Sequence, residues 1–455
     1  MTHTTDFLSK LKPTEPVRQV TAAEIQRKWD LISQAMASCG AKGTMIQAVP
    51  GPRVTRFELE ISKADAKKLC KQLGQSVSAN SLLARWISEN ILSLEIPHDV
   101  PQTVSACELF HSDQWKNTQM TLPIMLGMGD NYTPVMLDLA TAPHLLIGGS
   151  TGTGKSVCMQ MVLASLMQKH SPDELKFLIC DMKAVEFTWM SDSPYLMRPV
   201  ITDIEQALDE LESLEKEMKR RFQLLAEAEV KTIAEYNANG NEPMPYLLAI
   251  LDEFADFMCS EKHQTFKRLV NGLASCCRAV GIHIILSTQR PDVRVFPLEL
   301  RASFPTQIAF HVASRQDSQT IIEETGAEKL LGRGDMLLKT PTSVVRLQGG
   351  YLPYEELMLF ASSPENDVSK TTKADDETWI QNQMETVRKA IQLIFIGRPT
   401  LSYLQRCLEV GYHEACRLME TMETYGIVSS LPENGSRRIL VDTVEEALKR
   451  LPWQN

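Results

Sequence analysis

The first residues that invite a chemical reading are Gly149-Ser150-Thr151-Gly152-Thr153-Gly154-Lys155-Ser156, which fit the spacing G-x-x-x-x-G-K-S. Glycines 149, 152 and 154 let the backbone turn tightly enough for successive N–H groups to face one anion. Lys155 supplies charge to the β and γ phosphates of a nucleotide, and Ser156 offers a hydroxyl ligand to Mg2+. The apolar run His144–Ile147 before the loop reads as a strand, and the stretch from about Lys155 to Gln168 as a helix. That helix turns its positive N-terminus to the same anion. Gly149 to Val157 is thus the candidate binding segment for ATP with Mg2+.

About 100 residues later the apolar run Tyr246–Leu251 ends in Asp252-Glu253. A carboxylate at the tip of a buried strand beside the phosphate loop can hold Mg2+ through water, the role expected of Asp252. Glu253 is expected to polarise the attacking water as general base. A third strand, Ile282–Leu286, leads into Ser287-Thr288-Gln289-Arg290-Pro291. A polar residue at its tip can contact the γ-phosphate, with Gln289 the first candidate for that sensor and Thr288 the alternative.

These groups need a scaffold, and the sequence supplies one. From Pro143 onward, the apolar runs His144–Ile147, Phe177–Cys180, Tyr246–Leu251, Ile282–Leu286 and Ile308–Val312 alternate with helical stretches. Strands apolar on both faces, separated by helices, predict a buried, mostly parallel sheet. Asp203–Ala228 reads as a charged amphipathic helix with Leu208, Leu211, Met218, Phe222 and Leu225 near its apolar stripe. Upstream, Ile25, Trp29, Ile32 and Met36 have helical spacing. After the break at Gly51-Pro52, the residues Val54, Phe57, Leu59 and Ile61 suit a strand, Ala64–Leu73 a helix and Ile91–Ile96 an extended segment. Downstream of the polar stretch Ser362–Asp376 come short helices, then a turn at Pro432 to Gly435, the order of a winged helix-turn-helix. The expected division is a flexible tail (1–20), an α+β domain (21–138), the P-loop domain (139–355), a linker (356–385) and a winged-helix domain (386–455).

A chain of 455 residues suits two or three cores, and 43% hydrophobic with 23% charged residues is a globular composition. The net charge of −10 leaves the partner open, since a local basic lining can coexist with an acidic exterior. The start of the chain lacks the pattern of a secretory signal, and the longest apolar runs are far shorter than the roughly 20 residues a membrane span needs. Ten cysteines show no C-x-x-C pair and no Cys/His cluster at zinc spacing. A reduced, cytoplasmic protein without membrane insertion is the expectation.

Several segments resemble the FtsK/SpoIIIE family of DNA translocases. Pro143–Val157 is similar to its phosphate-loop segment and Asp181–Phe187 (DMKAVEF) to its D-x-K-x-x-E-L element. Leu251–Phe257, Arg278–Pro291, Ile308–Ser318 and Gly326–Leu337 match in order, and Gly51–Glu60 resembles the start of the family's guide domain. The resemblance implies an α/β fold: a RecA-like motor domain with a smaller N-terminal α+β guide domain and a C-terminal winged helix. It further implies a homo-oligomeric ring, a hexamer, around double-stranded DNA, with ATP between subunits and an arginine from a neighbour completing each site. Arg278 is the first candidate for that finger and Arg315 the second; Lys183 and Glu186 face the nucleotide or the pore.

The winged-helix module of the family reads DNA with a helix in the major groove. Here Tyr412–Tyr425 would be that helix, exposing His413, Glu414 and Arg417, with Arg437 and Arg438 gripping the backbone from the wing. Glu414 disfavours phosphate, so a protein partner for this domain is an equal expectation. The membrane-spanning region of the chromosome-segregating members has no counterpart in this sequence, which suggests a stand-alone motor in segregation, transfer or defence of DNA. The competing reading is a non-translocating, ATP-dependent clamp or scaffold; the complete set Lys155, Ser156, Asp252, Glu253 and Gln289 argues for turnover instead.

Overall fold

A computed structural model describes residues 11–12, 16–76, 82–191, 193–292, 295–361, 383–396, 404, 407–408, 418–419, 421–429 and 438–451. The chain divides into two compact units: Met1–Glu186 with Pro194–Phe360, and Ala361–Asn455 with Phe187–Ser193.

The first unit begins with α1 (Ala22–Cys39), started by a capping box in which Thr21 and Glu24 satisfy each other's backbone N–H groups. Gly40 ends it in the left-handed region, at φ 65°. Ile32, Ala35 and Met36 face inward, as the spacing predicts. Four antiparallel strands follow: β1 (Gly43–Pro50), β2 (Val54–Ile61), β3 (Leu83–Trp86) and β4 (Ile91–Pro97), ordered β1-β2-β4-β3. With α1 and α2 (Lys63–Ser76) they enclose Phe57, Leu59, Ile61, Leu69, Leu73 and Leu94.

The second sheet of this unit carries ten strands: β5 (Val104–Ser105), β6 (Pro123–Met128), β7 (Pro134–Asp138), β8 (His144–Gly148), β9 (Leu175–Asp181), β10 (Tyr246–Asp252), β11 (Ile282–Thr288), β12 (Thr306–Phe310), β13 (Asp335–Lys339) and β14 (Val344–Tyr351). Their order is β7-β6-β14-β13-β12-β8-β11-β10-β9, with β5 beside β14. The half from β12 to β9 is parallel, and the half from β7 to β12 is antiparallel. Crossovers place β11 between the strand that carries the phosphate loop and the one that ends in Asp252, so three strand tips converge on one edge of the sheet.

Three expectations change. The sheet takes in β6 and β7, so the expected boundary at 138 falls within it; the hairpin is apolar because β6 lies over α3 (Lys155–Lys169), where Met125 N–H donates to Ser165 Oγ at 3.0 Å. The described part of the tail is docked: Leu11 is buried, Val17 N–H donates to the Glu108 carboxylate, and Val20 N–H donates to Tyr132 Oη at 2.8 Å. On α4 (Ile204–Glu227) Phe222 is exposed and Arg221 is buried instead. Positions 207, 211, 214, 218, 221 and 225 make the inward stripe, and Arg221 belongs on it because its guanidinium donates to Glu217 and to Val280 O.

In the second unit, α5 (Met384–Ile396), a short antiparallel bridge Val428–Ile439 and α6 (Val444–Lys449) surround Ile391, Ile394, Met419, Met422 and Ile427. The expected linker core, 362–376, lies outside the described residues.

Candidate functional site

The phosphate loop leaves β8 at Gly148 and enters α3 at Lys155. Two of its glycines are sterically required. A Cβ at Gly149 would stand 2.5 Å from Phe310 Cβ, and one at Gly154, at φ 119°, would stand 2.6 Å from Gly334 N. Backbone bonds fix the loop to its neighbours: Gly149 N–H donates to Thr288 O, Ser150 N–H to His311 O, and Gly334 N–H to Thr153 O at 2.7 Å. Thr153 Oγ1 closes it internally on Ser150 O at 2.7 Å.

Lys155 is buried and reaches the tips of the two adjacent strands. Its Nζ donates to Asp252 Oδ1 at 2.7 Å and to Ser287 Oγ at 2.8 Å, while Ser287 Oγ donates to the same Oδ1. Glu253, at φ 50°, sits in the left-handed region, uncommon for a side-chain-bearing residue. It is 1% exposed and accepts from Thr288 Oγ1, from Gln289 N–H at 3.2 Å and from Lys183 Nζ at 3.3 Å. Lys183 comes from the turn after β9, where Asp181 accepts the N–H groups of Lys183, Val185 and Glu186. Gln289 turns outward, and Thr151 Oγ1 donates to its Oε1 at 2.6 Å.

A cavity of about 570 Å³ opens over the loop. Ser150, Thr151, Gly152, Gly154, Lys155, Ser156 and Val157 line one wall, with Gln289 and Glu186 at its edge. Of the two sensor candidates, Gln289 therefore faces the cavity and Thr288 stands behind Glu253. Lys155, Asp252, Glu253 and Gln289 come together, as the sequence predicts.

Arg278 does not join them. It is exposed, its Nε donates to Ala140 O at 3.2 Å, and it precedes β11, whose far end at Thr288 lies about 20 Å away at strand spacing. Arg315 is exposed at the start of the helix Arg315–Ile322, with its Nε 3.5 Å from Glu328 Oε1. His413, Glu414, Arg417 and Arg437 lie outside the described residues. Arg438 is exposed, and its backbone pairs with Ser429 across the Val428–Ile439 bridge.

Sequence reasoning missed the opposite wall. Arg53 from the turn between β1 and β2, the segment Pro101–Thr103, Arg333, Gln348 and Tyr351 line it. Ser287 was also missed, although its place one residue before Thr288 on the sensor strand was a usable signal. Arg53 lies in the family-like segment Gly51–Glu60, but nothing in that pattern points it at the phosphate loop, because the tertiary packing of the small sheet brings it there.

A buried parallel sheet with this loop at the tip of β8 and an Asp-Glu pair two strands away defines a P-loop ATPase. The sequence matches the FtsK/SpoIIIE family over residues 107–293, the FtsK alpha domain over 4–98 and the Ftsk gamma domain over 381–442. It is 33% identical to the DNA translocase FtsK of Haemophilus influenzae over 484 residues, an alignment covering 96% of this chain and 91% of that protein. With the DNA translocase FtsK of Treponema pallidum it shares 36% identity over 416 residues, 85% of this chain but 51% of the relative. The chain belongs to the FtsK/SpoIIIE family. Among solved structures, the conjugation coupling protein TcpA of pCW3 shares its fold, with a TM-score of 0.51, 24% identity, and coverage of 74% of this chain and 98% of that one. Among the described residues no helix is long and apolar enough to cross a membrane.

Proposed function

We propose that this chain is an ATP-driven motor that moves along double-stranded DNA as a ring-shaped homo-oligomer, a hexamer. The observation that carries the reading is the convergence of Lys155, Asp252, Glu253 and Gln289 at three adjacent strand tips beside one cavity. An ATP-gated clamp needs nucleotide binding but has no use for a water-polarising carboxylate.

Lys155 holds the β and γ phosphates, which compete with Asp252 for its ammonium group. Ser156 and Asp252 would hold Mg2+, which takes few protein oxygens and keeps several waters, and the ion would offset charge developing on the phosphates. Glu253 is the general base. Its lone pairs are engaged by Thr288, Gln289 and Lys183, so an attacking water must displace one donor; Lys183, half-exposed at 44%, is the one able to withdraw. Gln289 leaves Thr151 to follow the γ-phosphate, which links hydrolysis to the phosphate loop. An arginine from a neighbouring subunit, Arg278 first and Arg315 second, completes the site in trans. Backbone grip on DNA implies steep salt sensitivity and little sequence preference. His413, Arg417, Arg437 and Arg438 of the winged helix contact DNA or dock a protein partner.

The test is the steady-state ATPase rate without DNA, with single strands and with long duplex, at low salt. Strong stimulation by duplex alone is expected. ATP binding with no duplex-dependent turnover would move the assignment to the clamp.

A further inference from the structure

The far wall of the cavity poses a charge problem. The cavity as a whole is lined by three cationic side chains, Arg53, Lys155 and Arg333, against one carboxylate, Glu186, in a chain whose net charge is −10. Lys155 has its own partner in Asp252. Arg53 does not have an equivalent. It is 8% exposed, and its Nε is buried with no hydrogen-bond partner among the described residues. The acid that acts on it electrostatically is Asp335, and both oxygens of that carboxylate are engaged by other donors. Arg346 Nε donates to Oδ1 at 2.9 Å, while Arg346 Nη2 and Leu331 N–H donate to Oδ2 at 2.6 and 2.7 Å. Burial, and then the charges of Arg346 and Arg333, push the pKa of Arg53 below its ordinary value. A guanidinium held at this cost, with a buried donor to spare, calls for an anion.

The position of Arg333 narrows the choice. Its backbone is in the left-handed region at φ 51°, Gln348 Nε2 holds its carbonyl at 2.8 Å, and the next residue, Gly334, bonds the phosphate loop through Thr153 O. Both arginines therefore open onto the cavity that the phosphate loop lines, not onto a separate surface. Arg53 is also carried by the small four-stranded sheet, whereas every nucleotide contact expected from the sequence comes from the larger one.

The geometry points to Arg53 as a nucleotide-binding residue supplied in cis by the small domain, donating to the phosphates of the bound nucleoside triphosphate with Arg333 beside it. This rests on the cavity being the ATP site. The small domain is then a wall of that site and reports whether a polyphosphate is present. Guanidinium–phosphate bonds of this kind are charge-assisted and geometrically specific, which a lysine at the same place would only half replace.

The experiment is equilibrium binding of ATP, ADP, AMP and adenosine with Mg2+, by calorimetry on the full chain, for the parent, Arg53→Ala, Arg53→Lys, Arg333→Ala and Lys155→Ala. Arg53→Ala is expected to weaken ATP about 10- to 100-fold, the usual effect of losing a hydrogen bond to a charged group, and to leave adenosine unchanged. Arg53→Lys should recover part of the loss, and Arg333→Ala should show a smaller one. Parental affinity for ATP in Arg53→Ala overturns the proposal, as does an equal loss for ATP and adenosine, which would mean a change of pocket shape. If Arg53→Ala melts early, Arg53→Lys decides: ATP affinity equal to the parent's, with no gain in the ratio lost between ATP and adenosine, refutes the directed contact. Failure of the ATP-site reading itself looks different, since the parent would then bind no ATP and Lys155→Ala would change nothing.

Discussion

Replacing Glu95 with glutamine should loosen the larger unit measurably, and the structure sets the size of the effect. Glu95 at β4 is 2% exposed; its Oε2 accepts from Arg346 Nη1 at 2.7 Å and its Oε1 from Arg85 at 3.3 Å. Arg346 on β14 is simultaneously bidentate to Asp335, with side-chain exposures of 5% and 1%. Burial opposes the charge on Arg346, but Asp335 and Glu95 outweigh it and hold its pKa above the ordinary arginine value. Removing one partner of a buried ion pair costs about 3–5 kcal/mol, because the survivor stays buried and uncompensated. Glu95→Gln keeps an acceptor and leaves Asp335 in place, so about 3 kcal/mol is expected. Asp335→Asn breaks the bidentate pair and should approach about 5 kcal/mol. Scanning calorimetry should show the transition of the larger unit moving down by about 4 °C for Glu95→Gln, with that of the C-terminal unit unmoved. The double variant Glu95→Gln with Arg346→Met should lose less than the sum of its single losses. A Glu95→Gln protein that melts within 1 °C of the parent, by this order-of-magnitude scale, would refute the argument that this network secures the small sheet.

Other outcomes are equally concrete. Glu253→Gln should bind ATP with parental affinity and turn it over about 10²–10⁴ times more slowly; single-turnover rates within tenfold of the parent would remove Glu253 as base. Lys155→Ala should abolish ATP binding measured by calorimetry. Gln289→Ala should keep ATP affinity and lose duplex stimulation of turnover, which a rate measurement with and without duplex separates. Acid should destabilise the fold through two buried histidines. Burial, joined for His144 by the charge of His283, lowers their pKa values from 6.5 to about 3 and about 4. The unfolded chain takes up protons first, so stability is complete above about pH 6.5 and falls by about 1.4 kcal/mol per histidine for each pH unit below it, until the folded values are reached. Ile284 N–H donates to His144 Nδ1 at 3.2 Å, a bond that protonation would break. Urea titrations between pH 7.5 and 5 should show this slope, and a flat profile would contradict it.

What could be read from the sequence followed the physics of local pattern. The phosphate loop, Asp252-Glu253 and Gln289 were legible because each is a polar group at the tip of an apolar run, and such runs in a parallel sheet share an edge. The helix α1 was legible through the spacing of Ile25, Trp29, Ile32 and Met36, while its Thr21–Glu24 capping box was a signal left unread. On α4 the apolar stripe took in Phe222 and left out Arg221 because charge is read as exposure, yet Val280 O and Glu217 satisfy Arg221 inside. The boundary was set at 138, past the hairpin β6–β7, because the pairing of Met128 with Gln348 far along the chain leaves no local trace. Arg53 and Arg333 both lie in family-like segments, but that two residues 280 positions apart line one cavity leaves no local trace either.

The contact between Gly154 and Gly334 has a mechanical meaning. With 2.6 Å between a notional Cβ and the neighbouring backbone nitrogen, and Gly334 N–H bonded to Thr153 O, the phosphate loop has no slack against the root of the β13–β14 hairpin. Whatever displacement a nucleotide imposes on the loop is delivered to that root. The hairpin is not free to swing there, because β13 is paired with β12 from Met336 to Lys339 and with β14 along its other edge. A shift at the phosphates is therefore shared across the strands that tie the phosphate-loop strand to the antiparallel half of the sheet.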